Sequence, residues 1–152
     1  MGIRKKMENM NRLILIRGLP GSGKSSLART ILNSVRMEAD NYWYRNGEYN
    51  FDATKLHIAH KCCQEECERA LAYWSIMSST EARDKKIVVS NTFTTKKELK
   101  PYFKIAKRFG IIPTVIVCQN NFGNIHNVPE ETLIKMKNRW EDDISELFEG
   151  MV

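Results

Sequence analysis

The run Gly18-Leu19-Pro20-Gly21-Ser22-Gly23-Lys24-Ser25 constrains this chain more than any other feature. It satisfies G-x-x-x-x-G-K-[ST] at every fixed position, and at ordinary residue frequencies a chain this long does so by chance on the order of once in 200. The apolar stretch Leu13-Ile14-Leu15-Ile16 precedes it as a buried strand should, and Ser26-Leu27-Ala28-Arg29-Thr30-Ile31-Leu32 follows it as the start of a helix. Phosphate chemistry explains the residue types. Glycines let successive backbone N–H groups turn inward around anionic oxygens, and a helix start behind them adds a favourable dipole. Lys24 is expected to reach the β and γ phosphates, and the Ser25 hydroxyl to ligate Mg²⁺. The sequence therefore predicts binding of ATP and Mg²⁺ by Gly18, Leu19, Pro20, Gly21, Ser22, Gly23, Lys24, Ser25 and Ser26.

The 152 residues suit one domain, expected over 11–152, behind a flexible basic N-terminus at 1–10. A hydrophobic content of 42% and a charged content of 28% are ordinary for a globular protein. No apolar stretch approaches the ~18 residues of a membrane span. The longest, Ile111 to Cys118, is broken by Pro113 and Thr114. Met1-Gly2-Ile3-Arg4-Lys5-Lys6 lacks the apolar segment of a secretory signal, and Lys6 stands where a myristoylation site needs Ser or Thr. The net charge of +6 favours polyanionic partners, nucleic acid first, although any ATP-handling enzyme profits from the same sign. Of the four cysteines, Cys63 and Cys67 recur with His60 and Ala70 on one face of a predicted helix, which makes them core residues rather than a metal cluster. Reduced thiols without a signal segment point to the cytoplasm.

Along the chain, strands alternate with helices. Strands are expected at Leu13 to Arg17, Val35 to Ala39, Lys86 to Val89 and Thr114 to Cys118. Helices are expected from Lys24 to about Asn33, Asp52 to Ser78, Thr95 (a capping box with Glu98) to Gly110, and Pro129 to Glu149. The alternation implies an α/β fold, a parallel sheet of about four to five strands with helices on both faces. Ligands in such folds bind at the carboxyl ends of strands, a rim that carries Gly18–Ser25, Asp40, Ser90–Thr92 and Gln119–Asn124.

A GTPase would need guanine-recognition and switch motifs that are missing here. A motor-type ATPase would end its third strand on acidic residues, where this chain has Ser90-Asn91. A kinase needs a base near the acceptor hydroxyl, and Asp40, at the tip of the second strand, meets that need. At these residues a family resemblance emerges. Glu38-Ala39-Asp40-Asn41-Tyr42-Trp43 resembles the second-strand motif of polynucleotide 5′-hydroxyl kinases. Tyr49-Asn50-Phe51-Asp52, Val88-Val89-Ser90-Asn91-Thr92-Phe93-Thr94 and Asn124-Ile125-His126-Asn127-Val128-Pro129 are similar to small AAA-type P-loop proteins related to the kinase domain of NEDD4-binding protein 2. The resemblance implies a P-loop NTPase fold of kinase type with a small lid. It also implies that Asp40 activates the acceptor and that His126 positions the lid.

Two departures stand out. The family places a carboxylate after the third strand where this chain has Ser90-Asn91-Thr92, so Mg²⁺ would rest on Ser25, nucleotide and water, with Asp40, Ser90 and Asn91 around it. The family's lid arginine falls on Gly123; of the nearby cations Lys135 and Arg139, Arg139 reads equally as the group that stabilises the transferring phosphoryl or as a surface charge. His60 reads as a hydrogen-bonded helix histidine or a contact to Asp40. Tyr42, Trp43, Tyr44 and Tyr49, interleaved with Arg45, read equally as a base-stacking platform or as core. The expected activity is transfer from ATP to a 5′-hydroxyl of RNA or DNA. The alternatives are a small-molecule kinase (of a nucleoside, nucleotide or sugar nucleotide) and a weakly catalytic ATP-binding module. The sequence leaves the oligomeric state open.

Overall fold

Five consecutive apolar-or-buried positions, Leu13–Arg17, require a strand with neighbours on both edges and helices on both faces. The computed structural model, which describes residues 12–77, 84–123 and 127–151, places this segment (β1) inside a parallel sheet. The chain continues through α1 (Lys24–Thr30), β2 (Ser34–Met37), a 3-10 turn (Ala39–Trp43), β3 (Tyr44–Arg45), β4 (Glu48–Tyr49), a 3-10 turn (Ala53–Lys55) and α2 (Leu56–Ile76). Then follow β5 (Lys86–Asn91), α3 (Lys96–Arg108), β6 (Thr114–Val117), α4 (Glu130–Arg139) and a 3-10 turn at Ser145–Phe148. The sheet order is β2-β5-β1-β6, all parallel, with Ile16 opposite Ser90 and Arg17 opposite both Asn91 and Val117.

Strand periodicity divides the core into two layers. Leu13, Leu15, Ile87 and Val89 face α2 and α3, where Ala59, Cys63, Cys67, Leu71, Leu99, Tyr102 and Ala106 complete the larger cluster. Ile14, Ile16 and Val88 face the other way and are covered by Ala28, Leu27 and Ile31 from the α1 side. Cys63 and Cys67 are thus apolar packing on the inner face of α2, and burial pushes the Cys67 thiol up to about 12. No helix among the described residues is long and apolar enough to cross a membrane.

The α/β alternation with helices on both faces matches the expectation, but several boundaries move. α1 stops at Thr30 because Ile31 is extended and Asn33 takes a left-handed φ of 58°. β2 ends at Met37, so Asp40 lies on the 3-10 turn rather than on the strand. α2 begins at Leu56, after Asp52 caps the preceding turn through the Thr54 N–H. The largest correction is the last helix, expected to reach Glu149, which ends at Arg139. Tertiary contacts override the apolar stripe there. Trp140 is extended, the Glu141 N–H donates to the Thr94 carbonyl at 2.8 Å, and the Glu141 carboxylate accepts from the Lys96 N–H at 3.1 Å. The expected flexible segment 1–10, with Asn124 and His126, lies outside the described residues.

Candidate active site

β1 delivers the P-loop between two other strand ends. The Gly18 N–H donates to the Thr92 carbonyl at 3.2 Å, and the Cys118 N–H donates to the Arg17 carbonyl at 2.8 Å. Gly21 and Gly23 have φ of +80° and +93°, a region closed to most side chains. Space demands glycine as well. A Cβ on Gly21 would stand 2.1 Å from the Gly123 carbonyl oxygen, and one on Gly23 would stand 2.8 Å from the Phe122 ring. The loop after β6 therefore lies directly against the P-loop, joined by the Phe122 N–H donating to the Gly21 carbonyl at 2.7 Å.

Polar groups in this cradle are under-used by the protein itself. The Ser22 and Ser90 hydroxyl oxygens are buried without a hydrogen-bond partner, the state a phosphate oxygen, water or cation would relieve. The Lys24 ammonium rests on the Leu19 carbonyl at 3.0 Å. Burial pushes its pKa below the ordinary lysine value, opposed by the nearby Cys118, Glu38 and Asp40. A partly desolvated ammonium, inward glycines and orphaned hydroxyls fit a triphosphate with its Mg²⁺. Ser26, at the third helical position, is exposed.

Asp40 sits half-buried on the turn after β2. The residue before it is fixed from β5: the Ala39 N–H donates to Asn91 Oδ1 at 2.9 Å. Asn91 is itself buried, so its amide holds the end of β2 against the end of β5. The Asp40 charge is felt by Lys24, by Tyr49 and by His60, whose imidazole burial lowers and Glu98 and Asp40 raise. Arg139 is anchored at the same end of the sheet, its Nε donating to Thr94 Oγ1 at 2.8 Å while that hydroxyl donates to the Glu98 carboxylate at 2.9 Å.

The aromatic group divides. Trp43 is core, edge-on to Tyr42 and Phe51. Tyr44 and Tyr49 oppose each other across the β3–β4 hairpin and are 55% and 45% exposed, available to a ligand. The hairpin lies between the expected second strand and second helix, and Asn46-Gly47, both at positive φ, is the turn signal that marks it.

Sequence reasoning missed two residues. Glu38 accepts a hydrogen bond from Ser25 Oγ at 2.8 Å. Its signal was an acid at the end of a strand two residues before Asp40. Arg17 is fully buried, its guanidinium donating to the carbonyls of Phe93 (3.0 Å), Thr94 (3.3 Å) and Glu141 (2.7 Å) and lying 4.0 Å from the Trp140 ring centre. A charge closing an otherwise apolar strand was its signal.

The chain is 37% identical over 114 residues to human NEDD4-binding protein 2, a match spanning 70% of this chain and 6% of that much longer protein. It is 28% identical over 137 residues to an uncharacterized protein of Pasteurella multocida, covering 84% of this chain and 75% of that one. Among solved structures, the APS kinase CysC of Mycobacterium tuberculosis aligns over 86% of this chain and 96% of its own, with a TM-score of 0.47 and 14% identity. A family described as an AAA domain matches residues 13–121, more than half of the sequence, and the chain belongs to that family.

Proposed function

We propose that this protein is a phosphotransferase moving the γ-phosphoryl of ATP to a 5′-hydroxyl of RNA or DNA. The observation that carries the reading is Asp40, a carboxylate on the P-loop rim whose charge reaches the Lys24 ammonium and whose backbone is pinned through Ala39 to Asn91. An alcohol is a poor nucleophile and must lose its proton as the new phosphorus–oxygen bond forms. In this reading the acceptor oxygen attacks the γ phosphorus, its proton passes to Asp40, and ADP leaves with the bridging oxygen. Gly18 to Ser26 cradle the phosphates, and Lys24 draws charge toward the β and γ positions. Ser25 would hold Mg²⁺, with Asp40, Ser90 and Asn91 on the same rim. The ion, when bound, neutralises charge developing on the phosphate oxygens. Arg139 would extend from its Thr94 anchor toward the transferring group. Tyr44 and Tyr49, with Arg45 between them, offer faces for the bases of the acceptor strand.

The test is transfer from labelled ATP to a 5′-hydroxyl oligonucleotide. Asp40→Asn keeps size and hydrogen bonding but removes basicity, so ATP affinity should hold within a few fold while transfer falls roughly 100-fold or more. Full activity in the variant would remove Asp40 from the mechanism. Transfer to a nucleoside or sugar but not to oligonucleotides would make the acceptor a small molecule, and ATP binding with no transfer would leave a binding module.

A further inference from the structure

Building on the reading of the P-loop as an ATP·Mg²⁺ site, we propose that Glu38 supplies the anionic oxygen of the metal site, paired with the Ser25 hydroxyl on the β2 side. P-loop phosphotransferases hold the ion between a loop hydroxyl and a carboxylate. In this chain the end of β5, Ser90-Asn91-Thr92, carries no charge. Asn91 is also committed elsewhere, its Oδ1 taken by the Ala39 N–H and its side chain buried. The Thr92 carbonyl is taken by the Gly18 N–H. Any protein-borne negative charge for the ion, beside that of the triphosphate, therefore comes from another element.

Glu38 is the carboxylate in contact with Ser25. Its Oε1 lies 2.8 Å from Ser25 Oγ. Around an octahedral Mg²⁺ with oxygens at 2.0–2.1 Å, neighbouring ligands are about 2.9 Å apart, the radius multiplied by the square root of two. The Ser25–Glu38 pair already has the spacing of one edge of that octahedron. Ala39, between Glu38 and Asp40, is buried and held to β5, which fixes the two carboxylates relative to the loop. Their tasks separate accordingly: Glu38 serves the metal and Asp40 the acceptor proton.

The experiment measures nucleotide and metal binding rather than turnover. A non-hydrolysable ATP analogue is titrated by calorimetry in EDTA and again with Mg²⁺, and Mn²⁺ binding to the analogue-loaded protein is followed by electron paramagnetic resonance. Glu38→Gln keeps length and an acceptor for Ser25 but loses charge. It should weaken Mn²⁺ binding about tenfold or more, the scale on which residues supporting a metal site act. Metal-free affinity for the analogue should be unchanged or tighter, because a repelling charge is gone. Glu38→Asp, keeping the charge, should retain most of the metal response. Equal metal enhancement in wild type and Glu38→Gln overturns the role of Glu38 and leaves the P-loop reading intact. A wild-type protein that binds no analogue in either condition overturns both.

Discussion

Arg17 offers the sharpest quantitative test of how this site is held. It closes β1 immediately before the P-loop and is fully buried, yet it serves no ligand role proposed here. Replacing it by methionine keeps the length and apolar stem and removes the donors. The Phe93 and Glu141 carbonyls then lose a charged donor, while the Thr94 carbonyl retains the Glu141 N–H at 2.8 Å. Each stripped buried carbonyl costs about 1–3 kcal/mol, and the lost stacking on Trp140 up to about 2 kcal/mol more. Against that stands relief of the desolvated guanidinium, whose pKa burial lowers although Asp142, Glu98 and Glu141 oppose it.

The balance is a net destabilisation of about 3–5 kcal/mol, the range for breaking a buried charged network. In a domain of this size that lowers Tm by roughly 10 °C. Thermal unfolding followed by circular dichroism measures it. Limited proteolysis should show residues 140–151 released first, because the Glu141 carbonyl is the anchor lost. Arg17→Lys should destabilise as well, since its single nitrogen cannot occupy both the position from which Nε reaches Phe93 and the position from which Nη2 reaches Thr94 and Glu141. A Tm within 2 °C of wild type for Arg17→Met would refute the reasoning.

Three further outcomes are expected. Gly21→Ala combines a left-handed φ, costing about 1–2 kcal/mol, with a methyl 2.1 Å from the Gly123 oxygen; calorimetry should show ATP·Mg²⁺ affinity down more than tenfold, and an unchanged value would contradict the cradle geometry. Lys24→Met removes a partly desolvated charge, so triphosphate binding should be lost while Tm stays level or rises; a Tm drop of several degrees would mean the ammonium stabilises the fold. Burial lowers the His60 pKa, so between its folded value and about 6.5 the unfolded chain binds more protons and stability rises with pH. Acidification below that point should therefore cost stability, and His60→Gln should flatten the Tm–pH slope between pH 5 and 7; an unaltered slope would place the titration elsewhere.

What was legible in the sequence was whatever local pattern dictates. The P-loop, the four sheet strands and the α3 capping box depend on short-range chemistry, and Cys63 and Cys67 on simple helical periodicity. What failed depended on distant partners. The stripe Leu133, Met136, Trp140, Ile144 continues a helical period past Arg139, but residues 140–142 are drawn off by Arg17, Thr94 and Lys96, all far away in sequence. The part Glu38 plays beside Ser25 is not legible locally, because Ser25 lies across a helix and a strand. The aromatic cluster splits because Trp43 ends the 3-10 turn against the core while Tyr44 and Tyr49 pair on the exposed β3–β4 hairpin, a placement that composition does not encode.

The distribution of buried polarity explains why those misses fall where they do. Among the described residues the buried polar side chains are Arg17, Ser22, Ser90, Asn91 and Thr94. Every one lies at the carboxyl end of β1 or β5 or in the loops leaving them, whereas the strand interiors are apolar on both faces. Burying such groups costs stability unless they are paired. Arg17, Asn91 and Thr94 are paired, and their bonds fix the backbone under the P-loop and before Asp40. Ser22 and Ser90 are not paired by the protein. The fold thus draws its stability from two apolar layers and gathers its buried polar and charged residues along one rim. Local rules are broken together there, as expected if that rim meets the charged ligand proposed above rather than packing.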